Sequence, residues 1–526
     1  MSRSLPDAMH WQIYQAYRSG PHALFELFAQ AFGRPALCGI EEPARQQREI
    51  DGLSHEIARL QTQIQKLQAE VTELHHRNFQ LGRRNQELEA LVSKDSHNSS
   101  RPPSSDPPWA KRTKNLRRPS GKRPGAQVGH HGSTLQLSSH PNRIVEHRPS
   151  QCTSCHASLA AVRTLSYHRQ QVLEVVPAKL KVTEHRLAVV RCPSCGKRTR
   201  GEFADSVRSG VQYGVGVKAR VLYLQQYQLL PYQRTAEAMR ELFGCQLSAG
   251  TVSNIIRECA AGLVATELQI KQKLRRSSVI HADETGLRIN QGLGYVHVAS
   301  TAHLTHYAAA NHRGRTAMDE INVLPRYRGT VVHDGLLSYK HYTKCRHALC
   351  GVHLLRELTY FEEVSEETKA WAAPVKELLL EMKEMVEHRR EAGGNSLAAD
   401  DLRRLTASYD YLVGAGLLAQ WPPEVPEQVK KQARNLLLRL ERRREEVLMF
   451  LTDFAVPFDN NQAERDLRMV KLQQKTSGCF RTEAGAQRFC RLRSYVSTMR
   501  KQGKGVLLAL AGACQGAPLS LRKRVR

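Results

Sequence analysis

The chain has 526 residues and a formal net charge of +28, and its hydrophobic content of 41% permits sizeable cores in roughly three to four domains. Such a charge favours a polyanionic partner, nucleic acid first and an anionic membrane second. No run approaches the ~18–20 apolar residues of a spanning helix and no basic-then-apolar leader is seen, so an intracellular protein without a membrane partner is expected, whose twelve Cys read as thiols or metal ligands rather than a disulfide framework.

Residues 1–45 read as a helical N-terminal segment, broken at Gly20-Pro21, and carry no assignable role. Residues 46–93 hold the clearest periodicity. Ile50, Ile57, Ile64, Val71, Asn78, Asn85 and Val92 are seven apart, and Leu53, Leu60, Leu67, Leu74, Leu81 and Leu88 fill the alternate positions. β-branched residues at a and Leu at d favour a parallel two-stranded coiled coil, and Asn at a fixes register at some cost in stability. A homodimer, or a higher assembly, through residues 50–92 is the expectation. Residues 94–130 change character. They are rich in Ser, Pro, Lys and Arg, and such a segment buries too little apolar surface to order itself. Its cluster Lys111, Arg112, Lys114, Arg117, Arg118, Lys122 and Arg123 suits salt-sensitive contacts to DNA phosphates.

Residues 131–205 contain Cys152-x-x-Cys155 and Cys192-x-x-Cys195. Two such pairs suit a tetrahedral zinc site, and four thiolates leave no open position, so this Zn²⁺ is structural. The alternating stretch between the pairs reads as a small β-insert, and His156 reads as a bystander. In residues 206–270, TAEAMRELFGCQLSAGTVSNIIREC has the shape of a helix-turn-helix. A first helix over 236–243, a turn at Gly244 and an N-cap at Ser248 precede a second helix over 249–260. Thr251, Ser253, Asn254 and Arg257 would project from it toward base edges. A helical hairpin buried in a core competes with this reading.

Residues 271–515 carry the chemistry. VIHADETGLRI (279–289) and TVVHDGLL (330–337) are apolar, strand-like runs that lead into Asp283 and Asp334. GYVHVASTAHLTHYAAA reads as a hairpin between them, and Glu464 follows in FDNNQAERDLR at a helix start. Acids on the first and fourth strands of a strand–hairpin–helix–strand series are the pattern of a ribonuclease-H-like core. Two Asp and a Glu so placed suit two divalent cations, Mg²⁺ or Mn²⁺, acting on phosphate. Locally, Asn461-x-x-Glu464 is also readable as a capping box. Arg465 and Arg468 beside this acid suit a phosphate substrate. A helical insertion over about 355–450 separates the second acid from the third. Cys350-x-x-His353 opens it, and two ligands alone do not make a metal site. Residues 516–526 form a basic tail.

These segments resemble the insertion sequence 66 (IS66) family of transposases over nearly the whole chain beyond residue 50. The zipper, NSSRPPSSDPP and GKRPGAQVGHHG are similar to that family's N-terminal half, and the CxxC pairs to its zinc-binding domain. HADETG, VVHDG, CGVHLLREL and DNNQAERDLRMVK are similar to its catalytic domain. The resemblance implies a DDE triad of Asp283, Asp334 and Glu464, and a ribonuclease-H-like α/β core with an all-helical insertion. The whole would be a multidomain α+β protein with a coiled coil, a zinc-binding β module and a helix-turn-helix region. It also implies DNA partners (terminal inverted repeats and target), accessory proteins of the same element and a bacterial cytoplasm, at the nucleoid. A non-catalytic DNA-binding regulator and a ribonuclease-H-like nuclease without strand transfer remain the alternatives.

Overall fold

The computed structural model describes the chain apart from residues 1–6, 33–41, 93, 100–105, 107–128, 130–135, 176–177, 179, 208 and 523–526. The basic arm from Lys111 to Arg123 lies outside the described residues. No helix of the described residues is long and apolar enough to cross a membrane. Every described cysteine is a free thiol. The chain divides into two units, Met1–Glu89 and Ala90–Arg526.

In the first unit, α1 (Asp7–Arg18) and α2 (Pro21–Phe32) flank a break at Gly20, whose φ of +100° suits only glycine. Pro21 opens α2, where a missing N–H costs nothing. The heptads lie on one uninterrupted helix of 51 residues, α3 (Glu42–Val92). Its a and d side chains are exposed, Ile57 at 48% and Leu60 at 46%.

The second unit begins with a departure from expectation. Residues 94–99, read as the start of a disordered linker, are packed. Ser96 and Asn98 are buried. Asn98 donates to Glu363 Oε2 at 3.1 Å, the Ser96 N–H donates to Asp106 Oδ1 at 2.8 Å, and Lys94 lies 4.1 Å over the Tyr360 ring. Polar side chains with fixed acceptors order this stretch, a route that apolar content does not reveal.

The module that follows contains a short antiparallel pair, β1 (Val189–Arg191) and β2 (Arg198–Arg200). The alternating stretch from 170 onward forms no further strand among the described residues. Val172, Val175 and Val182 are nearly fully exposed, so its apolar side meets no second layer. Four helices come next: α4 (Val215–Leu222), α5 (Tyr232–Phe243), α6 (Ala249–Gly262) and α7 (Val264–Arg275). Gly244, at φ +62°, ends α5. Ser248 caps α6 by accepting the Thr251 N–H at 3.1 Å.

The central sheet has five strands in the order β5-β4-β3-β6-β7. They are β3 (Val279–Ile289), β4 (Gly292–Ser300), β5 (Thr305–Ala310), β6 (Thr330–His333) and β7 (Arg346–Leu349), with the short helix α8 (Arg315–Ile321) before β6. β3, β4 and β5 form an antiparallel meander. The turn at Asn290 and Gln291 takes positive φ at both residues, as a tight hairpin requires. β6 and β7 add in parallel. The sequence reading missed β7, because its four residues run straight into the next helix.

One apolar cluster joins Ile280 and Val331 of the sheet to α4–α7 and the C-terminal helices. A second joins Leu287, Val296 and Tyr307 to α14 (Asn461–Ser477) and α15 (Glu483–Lys501). The insertion is all helical: α9 (Gly351–Val364), α10 (Glu366–Glu391), α11 (Ala399–Leu418), α12 (Glu427–Arg442) and α13 (Arg444–Thr452). It has its own core, with Leu379, Leu405 and Leu437 fully enclosed. The last helix, α16 (Val506–Cys514), packs back on the first cluster.

A polar tie crosses these layers. Glu267 of α7 accepts from His306 of β5 at 3.2 Å and from Arg491 of α15 at 2.6 Å. Burial alone would raise its carboxyl, but these partners outweigh burial and hold it down from 4.5 to about 2. The stabilisation is present above the ordinary carboxyl pKa and is lost as pH falls toward the folded value. Glu267→Gln should cost about 2 kcal/mol at pH 7. Urea unfolding should show that deficit shrinking between pH 5 and pH 2.

Candidate active site

Parallel pairing between β3 and β6 ends at His281 opposite Val332. Asp283 and Asp334 each stand two residues beyond that pair. In-register residues of parallel strands project side by side, so the two acids meet at the sheet's C-terminal edge. Asp283, Glu284 and Asp334 bring carboxylate oxygens within 4.8 Å of one another. Asp334 is held by its turn. Its Oδ1 accepts the Leu336 N–H at 3.0 Å across Gly335, whose φ is +99°. His333, just before it, is buried and stacks on Tyr339 with ring centroids 4.2 Å apart. It accepts the Gly335 N–H on Nδ1, and burial holds the ring well below the usual histidine range. His333 is therefore neutral and part of the scaffold.

The third acid comes from far along the chain. Asn460, at the start of α14, is fully buried. Its amide donates to the Ala282 carbonyl at 2.9 Å, and its Oδ1 lies 3.0 Å from His281 Nδ1. Its backbone N–H donates to Cys350 Sγ at 3.2 Å, while the Cys350 N–H donates to the His333 carbonyl at 2.9 Å. Cys350 thereby ties the end of β6 to the start of α14, and burial pushes its thiol up to about 12. Gly351 is required beside it, because a Cβ there would collide with the Phe458 ring. This clasp sets Glu464 of the first turn of α14 facing inward. Glu464 does not form a capping box. The N-cap is Asn460, not Asn461, and Glu464 Oε1 is buried without a hydrogen-bond partner.

Burial, then the charges of Glu284 and Asp334, raise the Asp283 carboxyl well above the usual range, and Glu464 adds to the effect. Asp334 and Glu464 therefore both act on Asp283, while the Glu464 carboxylate clusters with Cys350 and His353 rather than with Asp283 and Asp334. Glu284, which sequence reasoning passed over, is the best satisfied of the group. It accepts from Arg313 Nε at 2.9 Å and from the Tyr339 hydroxyl at 3.0 Å. Burial and the neighbouring Asp334 still raise its carboxyl, against the pull of Arg313. The Arg313 guanidinium also lies 3.9 Å from Asp334 Oδ2 and is half exposed. The oxygen-only donor set of Asp283, Glu284 and Asp334 fits a hard divalent cation of the Mg²⁺ or Mn²⁺ type, with Arg313 as the competing positive charge.

The remaining predicted residues lie elsewhere. Arg465 and Arg468 are exposed on α14. On α6, Thr251 and Ser253 are half-buried, while Asn254 is exposed and accepts from Arg257 at 2.8 Å. The two CxxC pairs form matching turns. The N–H of Cys152 donates to the Ala157 carbonyl and that of His156 to Cys152; Cys192, Lys197 and Gly196 repeat both bonds. His156 (φ +60°) and Gly196 (φ +71°) occupy equivalent left-handed positions, so His156 serves as a turn residue. Backbone N–H groups of Cys155 and Ser154 lower the Cys152 thiol, and those of Cys195 and Ser194 lower Cys192. Thiols lowered in this way suit a thiophilic metal. Among the described residues, the four sulfurs do not form a group within 4.8 Å.

Residues 210–488 match the model of the transposase IS66 family. The chain belongs to the IS66 transposase family. Residues 149–196 match the zinc-finger binding domain of transposase IS66, and residues 41–136 match a family of unknown function, DUF6444. A comparison with curated proteins found no match. The IS66 family match encloses every strand of the sheet and Glu464. Membership makes the protein a DNA-processing enzyme of the transposase kind, and the zinc-finger match makes DNA its partner and Zn²⁺ the metal of the CxxC module. Glu284, Arg313, Tyr339 and Asn460 were not found by sequence reasoning. Only the adjacency of Glu284 to Asp283 was a local signal.

Carboxylate crowding has a measurable cost. In EDTA, Asp334→Asn should raise the Tm by about 2–4 °C by relieving like-charge repulsion. Added Mg²⁺ should stabilise the wild type and leave the variant unmoved, as calorimetry would show. For the CxxC module, Cys192→Ser should lose one zinc per chain by elemental analysis, with the Tm of the sheet domain unchanged.

Proposed function

We propose that this IS66 family member is a DDE transposase. In this reading it binds the terminal inverted repeats of an insertion sequence, cleaves at the ends and joins the 3′-OH to target DNA. What supports the reading is that Asp283 and Asp334 share one carboxylate cluster and that the charge of Glu464, on a distant helix, reaches Asp283. The strand order, an antiparallel meander with two parallel strands added beside β3, supports a ribonuclease-H-like core. The helices between β7 and α14 then form an insertion into that core.

Asp283 and Asp334 would hold the divalent cations between them, and Glu464 would complete the shell of one. Mg²⁺ or Mn²⁺ bound there supplies activation of an oxygen nucleophile and stabilisation of the leaving oxygen. Glu284 fixes Arg313 beside Asp334, where the half-exposed guanidinium is available to a phosphate oxygen. Water is the nucleophile in cleavage, and the freed 3′-OH is the nucleophile in joining. Both are in-line displacements on phosphorus, so no Ser or Tyr nucleophile is needed.

The other elements serve the ends. The exposed a and d residues of α3 support pairing of two chains through a coiled coil. The geometry of α5, Gly244 and α6 supports a helix-turn-helix, with Asn254 and Arg257 toward DNA. The arm from Lys111 to Arg123 and the exposed Arg465 and Arg468 would contact phosphates. Accessory proteins of the same element, and action at the bacterial nucleoid, belong to the same proposal.

A strand-transfer assay tests it. Purified protein is mixed with a labelled terminal repeat and a supercoiled plasmid, with and without Mg²⁺. Joined product should form only with metal, and Asp334→Ala should reduce it on the order of 10³-fold or more. End binding without any cutting or joining by the wild type, with the element's accessory proteins added, would defeat the reading.

A further inference from the structure

The Cys350-x-x-His353 motif is only half explained by the fold. Cys350 has a complete role in the clasp, holding Asn460 through its sulfur. His353, one turn along α9, has none. Its Nδ1 is buried without a hydrogen-bond partner, and so is Glu464 Oε1. These two orphan atoms face each other at 4.0 Å. A buried imidazole nitrogen and a buried carboxylate oxygen, both unsatisfied, cost free energy unless something sits between them. The gap is too long for a hydrogen bond. It fits two ligands of one cation, since donors at about 2.1 Å from an ion can stand up to ~4.2 Å apart.

We propose that His353 Nδ1 is a ligand of the cation held by Glu464, so that this position is a mixed nitrogen–oxygen site. The inference rests on the metal-dependent reading above and adds a residue to it. Asp283, Asp334 and Glu284 offer oxygen only, which suits Mg²⁺ and Mn²⁺ alike. An imidazole at the Glu464 position shifts preference toward Mn²⁺, because nitrogen ligands favour transition metals over Mg²⁺. Cys350 Sγ also lies within 4.8 Å of both atoms, but a hard cation of the Mg²⁺ or Mn²⁺ type prefers the nitrogen and oxygen donors, so the sulfur stays outside its shell. The two cation positions are thus chemically unequal, and one of them takes a ligand from the first helix of the insertion.

The test uses the full-length protein loaded with Mn²⁺, read by pulsed electron paramagnetic resonance. Wild-type protein should show nitrogen modulation on the bound Mn²⁺. [¹⁵N]Histidine labelling should change that modulation, which assigns it to imidazole without any substitution. His353→Gln should abolish it and weaken Mn²⁺ binding about tenfold by calorimetry, with a smaller loss for Mg²⁺. Cys350→Ser should keep the modulation. Bound Mn²⁺ with no nitrogen coupling, or coupling that survives in His353→Gln, would overturn the proposal and leave the carboxylate reading standing. Zn²⁺ binding lost in Cys350→Ser would overturn it in favour of a thiolate site. If wild-type protein bound no Mn²⁺ at all, both readings would fall together.

Discussion

The Asn460 side chain is the join on which the site depends. Its amide bonds to β3 beside Asp283, and its backbone bonds to Cys350 at the end of β7. Those bonds add a directional polar hold to the apolar packing of Ala463 and Leu467 against the sheet. The acids themselves repel one another, so charge works against the assembly. The clasp works because every polar atom of Asn460 is used, in a place with no water to compete.

Much of this was legible in the sequence, for reasons that differ by element. Apolar runs leading into Asp283 and Asp334 gave strands. Gly244 and Ser248 marked the boundary between α5 and α6. These are signals within a few residues of chain. Glu284 was invisible because its meaning lies in Arg313 and Tyr339, brought in from 29 and 55 residues away. Glu464 was legible only as a residue type at a helix start, and its capping-box alternative was equally good locally. The orphan state of its carboxylate distinguishes the two.

The misreadings follow the same logic. Residues 94–99 look like linker because they lack apolar side chains, yet Ser96 and Asn98 are held by polar partners. The alternating segment after residue 170 looks like strand, yet alternation specifies a strand only where a partner covers one side. Cys350 and His353 read as a pair too small to make a metal site. The fold brings Glu464 to them, so that the sulfur, the imidazole and the carboxylate lie within 4.8 Å of one another.

The helical insertion has a consequence for how the protein is made. Its core is separate from the sheet's, and the Asn460–Ala282 bond closes a loop of 178 residues. Contacts of such sequence separation form late, after the intervening segment has folded. During synthesis the strands bearing Asp283 and Asp334 emerge first, the insertion next and Glu464 last. Glu464 can therefore join Asp283 and Asp334 only after the insertion has been made, so the insertion sets the order in which this site assembles.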